Sequence, residues 1–391
     1  MRKRGVIMLT QTSENVDVST RPSDRRAVPR NLALAVIVPV FNECPNIGPM
    51  LEKLDEVLVG VEHEVIFVDD GSTDGTQLEV ERFARIDRRV RLIRRFGRRG
   101  LSSAVVEGMC SSVARVLAVI DGDLQHDETL LPRMLAAIEQ DGQELAVGTR
   151  YAGEGSVGEW DKKRVSFSRF ATKLASPVMK TPLSDPMSGF FAIRRELLHD
   201  TVPKLSSVGY KILLDIVASV PRKLKVAELP YRFRTRVAGE SKLDSAVALE
   251  YIELLLEKLV GRWIPPKLIL FSIVGGFGAI IHLTILGVLL NLVGEAFVMA
   301  QASAVLISML FNFTLNNIFT YRDRRLTGSA WFIGFLSFAL LCSIGAIANV
   351  GVGAMIYKQQ GNIWWLAGLA GIAVGSVWNF VATNWLTWRR K

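Results

Sequence analysis

The second half of this 391-residue chain contains four stretches without a single Asp, Glu, Lys or Arg: Leu268–Val293, Ala296–Phe319, Leu326–Tyr357 and Ile363–Trp388. No other feature restricts the fold as strongly. A hydrocarbon core roughly 30 Å thick accepts apolar runs of this length as helices, which satisfy their own backbone hydrogen bonds. Residues 267–391 are therefore expected to form an all-α domain of four transmembrane helices. Lys258, Arg262 and Lys267 precede the first stretch, Arg322, Arg324 and Arg325 follow the second, and Arg389, Arg390 and Lys391 end the fourth; the intervening loops carry only Glu295 and Lys358. By the positive-inside rule, both termini and the domain before the helices belong in the cytoplasm of an integral membrane protein.

This half also repeats internally. Phe311-Asn312-Phe313, Asn317 and Thr320-Tyr321-Arg322 correspond to Trp378-Asn379-Phe380, Asn384 and Thr387-Trp388-Arg389. The same offset carries Phe271 onto Phe338 and Gly278-Ala279-Ile280 onto Gly345-Ala346-Ile347. A duplicated helix hairpin is the expectation, with both copies in one orientation. Asn312, Asn317, Asn379 and Asn384 are expected to bond helices together, or else to line a path for a lipid phosphate.

The first half has a different character. Leu32–Val40, Glu64–Val68, Val90–Ile93 and Val116–Ile120 read as strands, alternating with helical spacing over Ile47–Leu58, Leu78–Ala84 and Leu101–Ser112. Such alternation predicts a doubly wound, mostly parallel α/β sheet over 32–243, whose ligands sit at the carboxyl ends of the strands. Residues 1–31 are Arg-rich and polar and read as a disordered basic tail. The 244–266 stretch is an amphipathic juxtamembrane helix, read as lying on the bilayer rather than in a core. A net charge of +9 suits an anionic membrane surface and phosphorylated substrates. No basic face with aromatic or groove-reading motifs points to nucleic acid. Cys44, Cys110 and Cys342 are too few and too scattered for a disulfide framework.

Acidic residues cluster where those strands end. Val116–Ile120 runs into Asp121-Gly122-Asp123-Leu124-Gln125-His126-Asp127. Two carboxylates one residue apart, with an amide oxygen two further on, suit a hard cation such as Mg²⁺ or Mn²⁺ that shares its shell with substrate phosphates; an acidic turn capping the next helix is the alternative. His126 is expected behind the ligands or in the turn. Arg94, Arg95, Arg98 and Arg99 read as a solvated basic loop near phosphates, and His282 as a structural hydrogen-bonder.

Val36-Ile37-Val38-Pro39-Val40-Phe41-Asn42-Glu43, Val68-Asp69-Asp70-Gly71-Ser72-Thr73-Asp74-Gly75 and Asp121-Gly122-Asp123, in that order, resemble the GT-A glycosyltransferases of family 2. The chain more narrowly resembles the polyprenol-phosphate (dolichol-phosphate) mannose synthases. That likeness rests on Gly100-Leu101-Ser102-Ser103-Ala104, Asp121 to His126, Gly148-Thr149-Arg150, Ser184-Asp185-Pro186-Met187-Ser188-Gly189-Phe190 and Gly239-Glu240-Ser241-Lys242. The last half resembles a GtrA-like membrane domain.

The resemblance implies that Asp121, Asp123 and Gln125 hold the metal, Mg²⁺ or Mn²⁺. It also implies that Pro39, Phe41, Glu43, Val68, Asp70, Asp121 and Gly122, with Arg236 and Lys242 from a mobile loop, bind the nucleotide-sugar donor. Arg150, Arg164 and Ser168 would meet the acceptor's lipid phosphate. Asp185 is the remaining candidate for a helper carboxylate, or else it caps or holds the Pro186-Met187-Ser188-Gly189 turn. Phe41 stands where a tyrosine is common, and Met187 where a threonine is.

The expected activity is metal-dependent, inverting transfer of one hexose, with GDP-mannose favoured as donor, onto polyprenyl phosphate at the cytoplasmic membrane face. UDP-glucose or UDP-N-acetylglucosamine would be the alternative donor, and glycolipid flipping by the membrane half the alternative of another class. A homo-oligomer stays open. A processive polysaccharide synthase is rejected, because Leu259 stands where its Gln-x-x-Arg-Trp motif needs Gln before Arg262-Trp263.

Overall fold

The structure is a computed structural model and describes residues 32–97, 100–153, 155–156, 170–206, 210–234, 245–261, 264–293, 297–359 and 364–389. Seven strands among them form one sheet: β1 (Leu34–Val40), β2 (His63–Asp69), β3 (Val90–Arg94), β4 (Val116–Val119), β5 (Leu145–Thr149), β6 (Phe191–Arg194) and β7 (Val226–Pro230), in the order β3-β2-β1-β4-β6-β5-β7. Only β6 runs against its neighbours, β4 and β5. Every residue of β1 and β2 is buried. That is what near-continuous Val/Ile runs require when helices cover both faces.

The two faces carry separate cores. On one, Val36, Val38 and Phe67 pack with Ile47, Met50 and Leu54 of α1 (Cys44–Val57) and with Leu131, Met134 and Ile138 of α4 (Leu131–Glu139). On the other, Ile37, Val68 and Val119 pack with Ala104 and Met109 of α3 (Leu101–Cys110) and with Leu213 and Ile216 of α6 (Ile212–Ser219). Helices α2 (Thr76–Ile86) and α5 (Arg195–Thr201) complete the layers.

The juxtamembrane helix, α7 (Ser245–Val260), differs in part from the expectation of a helix lying on the bilayer. Its Tyr251, Leu254 and Leu255 are buried in the second of these cores. Lys258 Nζ lies 2.5 Å from Asp215 Oδ1 on α6. Part of the apolar stripe is thus spent on the α/β domain, while Ile252 (40%) and Leu259 (52%) of the same helix stay exposed. Amphipathic spacing reports that one face is covered, and is silent on what covers it.

Four long helices follow: α8 (Pro266–Val288), α9 (Phe297–Leu315), α10 (Ser329–Gln359) and α11 (Trp364–Leu386). Among the described residues, Pro266–Asn291 and Met299–Thr320 are long and apolar enough to cross a membrane. The repeat seen in the sequence has a structural counterpart. A Cβ on Gly278 would meet Asn312 Oδ1 at 2.1 Å, and one on Gly345 would meet Asn379 Oδ1 at 2.0 Å. Phe313 packs on Phe338 with ring centroids 5.6 Å apart, as Phe380 packs on Phe271 at 5.8 Å. Tyr321 and its counterpart Trp388 stack on each other at 4.1 Å and 10°. Asn317 serves packing: its Oδ1 accepts from Leu326 N at 2.8 Å and from Trp388 Nε1 at 3.1 Å.

Candidate active site

Strands β2, β1 and β4 lie side by side and parallel, so their carboxyl ends open together on one edge of the sheet. The loops leaving β1 and β2 are stitched to each other. Asn42 N donates to Ser72 Oγ at 2.8 Å and Thr73 N to Asn42 Oδ1 at 2.9 Å. Glu43 N donates to Thr76 Oγ1 and Cys44 N to Asp74 Oδ2, each at 3.0 Å. Most of the Asp-Asp-Gly-Ser-Thr-Asp-Gly run is therefore framework. Asp69, fully buried, accepts from Gly71 N at 3.0 Å and from Ser72 N at 3.1 Å, which turns the chain.

Asp70 faces the other way. Its Oδ2 accepts from Gly100 N at 2.7 Å, and its Oδ1 pairs with Arg95 Nη1. Arg95 also reaches Glu107 at 3.3 Å and Ser103 Oγ at 2.6 Å, and only 4% of it is exposed. This corrects the reading of Arg95 as part of a solvated loop: it is a buried counter-charge to Asp70. Arg94 is exposed, and Arg98 and Arg99 lie outside the described residues.

After β4 the backbone carries strain. Leu124 adopts φ 61°, which with Asn42 (φ 57°) makes the two positive-φ non-glycine residues among those described. Both flank the same opening. For a leucine this conformation costs on the order of 1–2 kcal/mol, and burial of its side chain holds it there. Behind Asp121 sits His126, 3% exposed, with Nε2 3.1 Å from Asp121 Oδ2 and Nδ1 2.7 Å from the Tyr231 hydroxyl. A carboxylate only accepts, so Nε2 donates to Asp121, and Nδ1 shares a hydrogen bond with the Tyr231 hydroxyl. Burial, with help from the nearby Asp185 and Asp121 charges, pushes the Tyr231 phenol far above its usual pKa although Arg150 opposes this, so the phenol remains a donor. Gly189 closes the other side: a Cβ there would fall 2.6 Å from Asp121 Oδ2.

These loops enclose a cleft of about 330 Å³ lined by Pro39, Phe41, Glu43, Val68, Asp70, Asp121, Gly122 and Asp123, together with Val40, Gly100, Leu101, Ala104 and Tyr210. Its size suits a small-molecule ligand. The structure thus gathers into one cavity every donor-side residue expected from the sequence that lies among the described residues. Arg164, Ser168, Arg236 and Lys242 lie outside them. Tyr210 is the lining residue that the sequence reading missed. It sits in no recognisable motif, and only the return of the chain before α6 brings it to the cleft.

Asp121 and Asp123 offer two carboxylates on one wall, and among the described residues no group of three His, Cys, Asp or Glu side chains forms a closed metal cage. Two carboxylates beside an open cleft are the donor set for a hard cation that completes its shell with substrate phosphates. Gln125 does not line the cleft: its Nε2 donates to Arg234 O at 3.0 Å, and its backbone N donates to Asp123 Oδ1 at 3.2 Å.

Asp185 has no exposed surface, and both its oxygens are taken by Arg150: Nε to Oδ2 at 2.6 Å and Nη2 to Oδ1 at 2.8 Å. Such a fork-on-fork pair fixes the guanidinium plane. Asp185 is therefore corrected from helper carboxylate to the residue that orients Arg150. Burial alone would weaken the arginine's charge, but the paired carboxylate raises its pKa further above the usual value.

Residues 35–202 match the profile described as glycosyl transferase family 2, and residues 270–388 match the GtrA/DPMS transmembrane domain. The dolichol-phosphate mannosyltransferase of Pyrococcus furiosus is 33% identical over 360 residues, which is 91% of this chain and 99% of that protein. The chain belongs to the dolichol-phosphate mannosyltransferase family. The Saccharomyces cerevisiae member is 36% identical over 250 residues, covering 62% of this chain and 92% of its own. Among solved structures, glucosyl-3-phosphoglycerate synthase of Mycobacterium tuberculosis, in complex with Mn²⁺, UDP and glucosyl-3-phosphoglycerate, is 19% identical with a TM-score of 0.44, over 58% of this chain and 79% of that one. The chain is thus a family 2 glycosyltransferase fused to a GtrA-like membrane domain.

Proposed function

We propose that this glycosyltransferase moves a single mannose from GDP-mannose to a polyprenyl phosphate of the dolichyl type at the cytoplasmic face of the membrane, with inversion to a β-linked product. The observation that carries the reading is the cleft itself, where Pro39, Glu43, Val68, Asp70, Asp121 and Asp123 converge from three different strand ends. The names of the full-length relatives support mannose and dolichyl phosphate.

On this reading Glu43 and Asp70 accept hydrogen bonds from base or ribose hydroxyls, and Phe41 stacks on the base. A Mg²⁺ or Mn²⁺ ion held by Asp121 and Asp123 supplies positive charge against the diphosphate leaving group. His126 and Tyr231 fix the Asp121 carboxylate for that role. The acceptor needs no strong base, because a phosphate monoester with a second pKa of about 6 is largely dianionic at neutral pH. Its oxygen forms a bond to the anomeric carbon as the bond to the diphosphate breaks, and attack from the opposite face inverts an α-linked donor. Positioning is then the main demand on the protein. That suits an Asp185 committed to Arg150, which we assign, with Arg164 and Ser168, to the lipid phosphate.

Lys267 and Arg322 lie at the same end of the spans as α7 and the α/β domain. That cationic end is the basis for the cytoplasmic assignment.

The test is transfer from radiolabelled GDP-mannose, UDP-glucose and UDP-N-acetylglucosamine to polyprenyl phosphate, in membranes carrying the wild type or Asp123→Ala. Mannolipid made only by the wild type supports the reading. A UDP-sugar product would replace the donor and keep the site, and no product from any donor would overturn it.

A further inference from the structure

We propose that Arg234 is a positioning residue for the metal-binding loop, holding residues 125–128 so that the Asp121 and Asp123 carboxylates keep the placement a divalent cation needs. This rests on the reading of the cleft as a metal-assisted nucleotide-sugar site. The chain leaves the sheet at Val119, where β4 ends, and then passes through the strained Leu124. A strained backbone keeps its shape only when its surroundings over-determine it.

Arg234 bonds to four consecutive residues of that loop. Its backbone N donates to Gln125 O at 2.9 Å, and its O accepts from Gln125 Nε2 at 3.0 Å. Its Nη1 donates to His126 O at 3.3 Å and to Glu128 Oε2 at 2.6 Å, and its Nη2 to Asp127 Oδ1 at 3.1 Å. Two of these residues reach the metal carboxylates. Gln125 N donates to Asp123 Oδ1 at 3.2 Å, and His126 Nε2 to Asp121 Oδ2 at 3.1 Å. Each carboxylate thus takes a hydrogen bond from a residue whose own carbonyl accepts one from Arg234. The clamp has a fixed base: Tyr231 N donates to Thr149 O at the end of β5 at 3.1 Å, and Phe233 N to Ser156 O at 2.9 Å. The Arg234 side chain is 39% exposed, and ion pairs that exposed add little stability. Its effect is therefore expected in the geometry of the site.

The test uses the full chain in detergent with saturating GDP, and Mn²⁺ as the probe, its Kd read from the EPR signal of the free ion. Arg234→Ala is expected to weaken Mn²⁺ binding about tenfold, the scale seen when a partner behind a metal ligand is removed, with an unfolding midpoint near that of the wild type. The sign is decisive. Removing a positive charge tightens cation binding through space, so Mn²⁺ binding that is tighter or unchanged in Arg234→Ala would overturn the proposal. Arg234→Lys keeps the charge and loses the planar fork; it should weaken Mn²⁺ as well, and a wild-type Kd there would also overturn the proposal. That variant decides alone if Arg234→Ala does not fold. Lys53→Ala, which removes the other cation on Glu128, should leave Mn²⁺ binding unweakened; a loss equal to that of Arg234→Ala would assign the effect to Glu128 and overturn the clamp. A wild type that binds no Mn²⁺ beside GDP would overturn the metal reading of the cleft itself, independently of every variant.

Discussion

Gly189→Ala isolates the position of one carboxylate. The φ of Gly189 is outside the left-handed region, so alanine suits the backbone and the effect is purely steric. Its new methyl would sit 2.6 Å from Asp121 Oδ2 and 3.1 Å from both Cγ and Oδ1. Restoring an ordinary contact requires the carboxylate to retreat by about 0.5–1 Å. That displacement stretches the 3.1 Å hydrogen bond from His126, worth about 1 kcal/mol of stability. It also exceeds the roughly 0.5 Å tolerance of a working site, so kcat for sugar transfer should fall about 10²-fold. Initial rates with labelled donor, set beside thermal unfolding of the same preparation, separate the two effects. Gly142→Ala is the control: Gly142 has φ 68° and nothing within 4 Å of a built Cβ, so it should lose about 1 kcal/mol of stability and keep its kcat. A Gly189→Ala enzyme with wild-type kcat would refute the claim that Asp121 must be held where it is.

Asp123→Ala should abolish transfer at any Mg²⁺ or Mn²⁺ concentration while the fold survives, read as product formation beside an unchanged unfolding midpoint. In the membrane half, Gly278→Ala and Gly345→Ala should each destabilise by about 1–3 kcal/mol through overpacking, because each methyl would overlap the equivalent asparagine; unequal losses in detergent unfolding would argue against equivalent hairpins. Glu128 is buried beside Arg234 at 2.6 Å and Lys53 at 3.2 Å. Burial alone would raise its pKa, but these hydrogen bonds hold it below the ordinary 4.5. A depressed carboxylate stabilises the fold above its unfolded pKa, and that contribution disappears as pH falls through the folded value. Glu128→Gln should therefore cost about 1–2 kcal/mol at pH 7 and flatten the loss of stability below pH 4.5, checked by unfolding across pH.

Much of this architecture is written locally in the chain. A strand buried on both faces must be a continuous run of apolar residues, so β1, β2 and β4 are legible, and so are the acidic residues at their ends. A span must be apolar over its whole length, so the four long helices are legible too, and duplication shows as matched residues. The later strands are less so: β5 ends in Gly148 and Thr149, β6 ends in Arg194, and β7 is only half-buried along its length, so no continuous apolar run marks them. What the chain alone left open was every question of partnership. The sequence reading placed Asp70 in the site, but its Arg95 counter-charge comes from the next strand's end. Asp185 stood open as helper carboxylate or turn-holder until Arg150, from the end of β5, closed on both its oxygens. The apolar stripe of α7 named no partner, and the core of the α/β domain claimed Leu255 with Tyr251 and Leu254 while Ile252 and Leu259 stayed exposed. Local sequence fixes backbone period and charge within a few residues, whereas pairing across the fold is decided by which groups must share a desolvated space, and that exists only once the chain has closed on itself.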